Sequence, residues 1–177
     1  MSTTARPGLA ASLERLGTET AFSVLERAQE LEREGHDVIH LEIGAPDFPT
    51  PRHICDAATQ ALLAGETSYC PSAGIPELRE AAAAYLSESR GIAVRPANVL
   101  VGTGAKPFLF FGILATCNPG DEVVYPDPGF PIYESAIRWA GATPVPLPLL
   151  EERDFTFSPD DLAERLGPRT KLVILNS

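Results

Sequence analysis

The stretch Val101-Gly102-Thr103-Gly104-Ala105-Lys106-Pro107 is where residue type and spacing offer chemistry. Residues 98–101 read as a buried strand, and the apolar run 108–117 reads as a buried helix. A glycine-rich turn between strand and helix leaves backbone N–H groups at the helix start. With the helix dipole they form a site for an anion, most often a phosphate. Pro107 has no N–H and a fixed φ, which suits a first helical turn and leaves donation to Gly104, Ala105 and Lys106. The same spacing also serves as a plain tight turn. Other phosphate motifs fit poorly. A dinucleotide fingerprint wants a third glycine where Pro107 stands, and no Gly-Lys-Ser/Thr triplet occurs. His36, His40 and His53 are scattered without metal-ligand spacing, so no metal site is expected, and His36 and His40 read as surface residues. No nucleophile elbow is present.

Elements must position that turn. Strands are expected at 98–101, 122–125, 143–147 and 171–175, and an extended piece at 38–43. Helices are expected at 23–34 with a Ser23/Glu26 capping box and a stop at Gly35, and after Thr50 as cap with Pro51 in the first turn. Others run from Pro76 to near Gly91, from after Pro131 to about Trp139, and from a Ser158 cap to about Leu166. Residues 1–20 read as a mobile arm. Alternation of strand and helix implies an α/β layer with a mostly parallel sheet, whose ligands lie beyond the carboxyl ends of strands.

Composition narrows the partners. The formal net charge is −10 with no basic cluster, which speaks against nucleic acid and anionic membrane surfaces. Three unpatterned cysteines, Cys55, Cys70 and Cys117, fit a reducing, cytoplasmic setting, with Cys117 as packing. No apolar run is long enough to span a bilayer.

Several ordered motifs carry a resemblance. They are Ile43-Gly44-Ala45-Pro46-Asp47-Phe48, then Tyr69 with Gly74 and Leu78-Arg79, Gly102 to Lys106, Pro119-Gly120-Asp121-Glu122-Val123, and Pro128-Gly129-Phe130-Pro131-Ile132-Tyr133. From about residue 20 to the last residue the sequence resembles class I and II aminotransferases, the fold-type I enzymes that use pyridoxal 5′-phosphate. The resemblance implies the first part of that fold, an incomplete and mostly parallel sheet flanked by helices. Residues 1–50 would be an arm and helix of the small domain, and 51–177 the first part of the large cofactor-binding domain. It implies a cofactor-binding turn at Gly104, Ala105 and Lys106, in which the backbone N–H groups of Ala105 and Lys106 hold the phosphate. Phe130 would stack on the pyridine ring, and Tyr69 would reach the phosphate of a neighbouring subunit in a homodimer. Gly44 would pass close to the substrate carboxylate. Each also has a plainer reading: Phe130 as a core aromatic, Tyr69 as a loop residue, and the Lys106 side chain at the surface.

The departure from the pattern is length. Family members run to more than twice this size, and the chain ends at Asn176-Ser177. Lys106 and Lys171 are the only lysines, and neither stands where the family's Schiff-base lysine would. The expectation is the N-terminal portion of an enzyme moving an amino group between an amino acid and a 2-oxo acid, with no catalytic residue in this chain. By itself the chain is expected to be inactive and to expose a sheet edge and apolar surface. The alternative is a non-catalytic aminotransferase-like binding or dimerisation module.

Overall fold

A computed structural model describes residue 8, residues 10–17 and residues 20–176. The chain divides into two compact units. One comprises residues up to Ile43 together with Lys106 onward, and the other is Gly44–Ala105.

The first unit is built on three parallel strands, β1 (Glu122–Asp127), β2 (Thr143–Pro148) and β3 (Thr170–Val173), in the order β2-β1-β3. β1 pairs in register with β2 from Glu122↔Thr143 to Asp127↔Pro148, and with β3 across an irregularity between Glu122 and Val123. Parallel strands need crossover connections, usually helical, and the chain supplies α5 (Ile132–Trp139) and α6 (Pro159–Ala163). Helix α4 (Lys106–Thr116) precedes β1 and contacts α5 and β3. Ile113 of α4, Val123 of β1, Tyr133, Ala136 and Ile137 of α5, with Cys117, Ala142 and Ile174, form the core. By strand alternation Val124 points to the opposite sheet face and is also fully buried. Neither outer edge of β2 nor of β3 has a strand partner among the described residues.

Helix α1 (Thr20–Arg33) also belongs to this unit. It starts ahead of Ser23, so Ser23 and Glu26 lie inside the helix and the expected capping box does not form. It stops as expected at Gly35, whose φ of +93° is the left-handed conformation that frees the next N–H, that of His36, to reach the Leu31 carbonyl. Of the arm expected over 1–20, residues 1–7, 9, 18 and 19 lie outside the described residues. Residues 11–15 form a 3-10 turn that is tied down: Arg15 Nη2 donates to the Trp139 carbonyl (3.3 Å), and the Gly17 N–H donates to Ser135 Oγ (3.1 Å). Ser158 caps α6 with Asp161 in a reciprocal box, but the helix ends at Ala163, short of Leu166.

The second unit carries α2 (Arg52–Leu63) and α3 (Pro76–Arg90). Pro51, not Thr50, occupies the cap position of α2, without a side-chain bond. Pro76 opens α3, and Gly91 closes it at φ +65°. The strand expected at 98–101 is absent. Residues 96–98 form a 3-10 turn, and Val99 is extended but joins no sheet. Their polar groups are met by other means: Arg79 donates from Nε to the Val99 carbonyl (3.0 Å) and from Nη2 to that of Pro96 (2.7 Å), and the Val101 N–H donates to the Ala73 carbonyl (3.0 Å).

Candidate functional site

The turn at 102–105 has the geometry that its glycines allow. Gly104 adopts φ +85°, which an L side chain rarely tolerates, and its N–H donates to the Gly102 carbonyl (3.1 Å). A Cβ built on Gly104 would meet nothing within 4 Å, and residues 102–106 are all exposed. The chain then enters α4 at Lys106, with Pro107 in the first turn. A helix start of this kind concentrates backbone donors and the positive end of the dipole, a combination that suits a phosphate.

Helix α4 is less covered than its composition predicts. Only Ile113 is buried; Leu109 and Phe110 pack partly against the core, and Phe108, Phe111 and Leu114 are exposed.

Phe130 sits in the loop after the carboxyl end of β1, at the entry to α5. It is half-buried, with its ring held edge-on by Tyr133 (centroids 5.8 Å apart, planes at 81°). Phe130 packs against the core, as its plainer reading has it, and is only partly buried. The Lys106 ammonium lies 5.3 Å from the Phe130 centroid and 5.5 Å from that of Phe22 on α1. Lys106 is exposed, as expected of a surface side chain, and yet it is organised by two aromatic rings. Sequence reading missed Phe22 and Tyr133. The spacing of Phe130 and Tyr133 by three residues at a helix entry was a signal for the second, and nothing local marks the first.

The remaining two candidates are in the other unit. Tyr69 is fully exposed in the loop between α2 and α3. Gly44 is exposed, with open space where a Cβ would be.

Comparison with known proteins adds the family. The family model described as Aminotransferase class I and II matches residues 36–177. A probable aspartate/prephenate aminotransferase of Aquifex aeolicus is 41% identical over 172 residues, covering 97% of this chain and 44% of that protein. An aspartate aminotransferase of Geobacillus stearothermophilus is 40% identical, covering 96% and 43%. Among solved structures, the aspartate aminotransferase from Thermus thermophilus with maleate superposes with a TM-score of 0.92 at 38% identity, over 97% of this chain and 45% of the other. The chain thus spans less than half the length of the relatives it matches.

Proposed function

The chain belongs to the class I and II aminotransferases, and from that premise we propose that it carries the phosphate-binding and ring-stacking part of a pyridoxal 5′-phosphate site. The whole enzyme would move an amino group between an amino acid and a 2-oxo acid. The names of the relatives favour aspartate as amino donor. The observation that carries the reading is the exposed turn with Gly104 in the left-handed region, feeding directly into α4 within the family match.

In this reading the N–H groups of Ala105 and Lys106, with Gly104 shaping their approach, hold the phosphate. Alanine at 105 brings no hydroxyl, so backbone donors and helix dipole carry the anion there. Phe130, braced by Tyr133, offers an aromatic face to a planar heterocycle. The cofactor supplies the electron sink for chemistry at the substrate α-carbon. Gly44 keeps its loop clear for a carboxylate, and the exposed Tyr69 reaches a neighbouring subunit's phosphate in a cytoplasmic homodimer. Residues 1–50 then belong to the small domain and 51–177 to the beginning of the large one. The Schiff-base lysine is supplied outside these 177 residues, so the chain alone binds and does not turn over.

The test compares retention of pyridoxal 5′-phosphate with that of pyridoxal, by visible absorbance after gel filtration, alongside a transaminase assay. Retention of the phosphorylated form only, without turnover, is expected. Equal retention of both would remove the phosphate site, and turnover would overturn the assignment of catalysis to residues outside this chain.

A further inference from the structure

The segment 38–43 follows helix α1 beyond Gly35 and lies beside it, outside any helix or strand. It is poorly anchored by packing. Ile39 and Leu41 are 84% and 89% exposed, and no backbone–backbone hydrogen bond among the described residues joins 38–43 to the rest of the unit. Val38 and Glu42 face a shallow groove with Val24, Ala28 and Leu31 of α1. His40, between them in the chain, makes the specific tie. Its Nε2 lies 3.1 Å from Glu32 Oε1 on α1, and its Nδ1 lies 2.6 Å from Glu42 Oε1.

Both ring nitrogens therefore face carboxylate oxygens. A neutral imidazole has one N–H, so one of the two contacts would set a lone pair against a carboxylate. Only the imidazolium donates to both. We propose that His40 is a protonation-dependent clamp that fastens segment 38–43 to helix α1, closed while the ring is charged and open when it is neutral.

The surrounding charges agree. From α1 the facing group is Glu32; Arg27 lines the same groove as Glu42 and is engaged with Glu30 at 2.8 Å. From the segment the facing group is Glu42, and the nearby His36–Glu34 pair is a separate, longer contact of 3.9 Å. The hydrogen bonds to Glu42 and then Glu32 hold the His40 pKa above its ordinary value, and the bond from His40 holds that of Glu42 below the ordinary carboxylate range. Protonated His40 thus favours the clamped state. The contribution of His40 is complete below the unfolded histidine pKa and disappears as pH rises through the raised one. That of Glu42 is present above the unfolded carboxylate pKa and is lost as pH falls through the lowered one. The clamp is closed between those limits.

The test is limited proteolysis within residues 38–43 across the pH range of histidine titration, expressed as the cleavage rate relative to a free peptide of the same sequence, with the His40 ring followed by NMR. Relative cleavage is expected to rise about two- to fivefold, the range of exposed ion pairs, as His40 loses its proton. His40→Gln should show the fast cleavage at every pH. His40→Arg, with a permanently charged fork, should hold the segment above neutral pH as well. Relative cleavage in the parent that is flat through the His40 titration, or equal in parent and His40→Gln, would overturn the proposal. Both substitutions are at an exposed position and leave the core untouched.

Discussion

A Cβ built on Gly74 would lie 2.7 Å from the Cβ of Val101. Gly74 is buried at φ +98°, so the backbone conformation and the space both require glycine. The neighbouring Ala73 carbonyl accepts the Val101 N–H, which makes this contact the support for the residues entering the 102–105 turn. Gly74→Ala is expected to destabilise the 44–105 unit by about 2 kcal/mol, the sum of left-handed strain and overpacking. Denaturant melts followed by exchange of the α3 amides would check it, and a neutral result would mean that Val101 yields freely.

Phe130 offers a second test. Phe130→Leu keeps apolar bulk against Tyr133 while removing the aromatic face. Affinity for pyridoxal 5′-phosphate should fall about five- to tenfold, the worth of an aromatic pair beyond its buried area, and Phe130→Tyr should restore it. Fluorescence or absorbance titration reads the change. Equal affinity in the parent and in Phe130→Leu would leave Phe130 as a core aromatic alone.

The cap of α6 should give stability a pH dependence. The Ser158 N–H and hydroxyl both donate to Asp161 Oδ2 at 2.8 Å, and the Asp161 N–H donates back to Ser158 Oγ at 3.1 Å. The backbone bond and then the hydroxyl bond hold the Asp161 carboxyl below its ordinary pKa, with help from Arg153 and Arg165. A lowered pKa means stability that is present above the unfolded value and lost as pH falls through the folded one. Ser158→Ala should cost about 1 kcal/mol at neutral pH, a typical cap loss, and should shrink the acid-side decline. Thermal melts between neutral and acid pH provide the comparison. An unchanged acid limb would show that Asp161 does not depend on the cap.

These examples show which features were legible in the sequence. Stops at Gly35 and Gly91, the start at Pro76 and the Ser158 cap are local, set by φ preferences and by groups within four residues. They read directly. The strand at 98–101 failed because strand status requires a partner, and β-branched residues report only willingness to pair. Candidate site residues followed the same division. The Gly104 conformation was readable from its motif. The position of the Lys106 side chain depends on Phe22, far away in sequence, and had no local sign. Burial was the weakest inference, since periodicity gives a face but not what covers it, as α2 shows with every residue exposed.

Helix α4 makes that last point measurable. Ile113 and Phe111 are both apolar and two residues apart, yet Ile113 is 1% exposed and Phe111 is 63% exposed. Ile113 lies in the cluster with Ile137 and Val123, so Ile113→Ala removes fully packed atoms and leaves a cavity. It should cost about 2–4 kcal/mol. Phe111 touches Phe110 edge-on at 5.8 Å and otherwise faces outward, so Phe111→Ser should cost little, within about 1 kcal/mol, because surface substitutions usually do. It should also lower self-association, since it removes the most exposed aromatic of an uncovered apolar face. Chemical denaturation and light scattering on the two variants separate the effects. A large loss of stability in Phe111→Ser would mean that this face of α4 is already covered in solution.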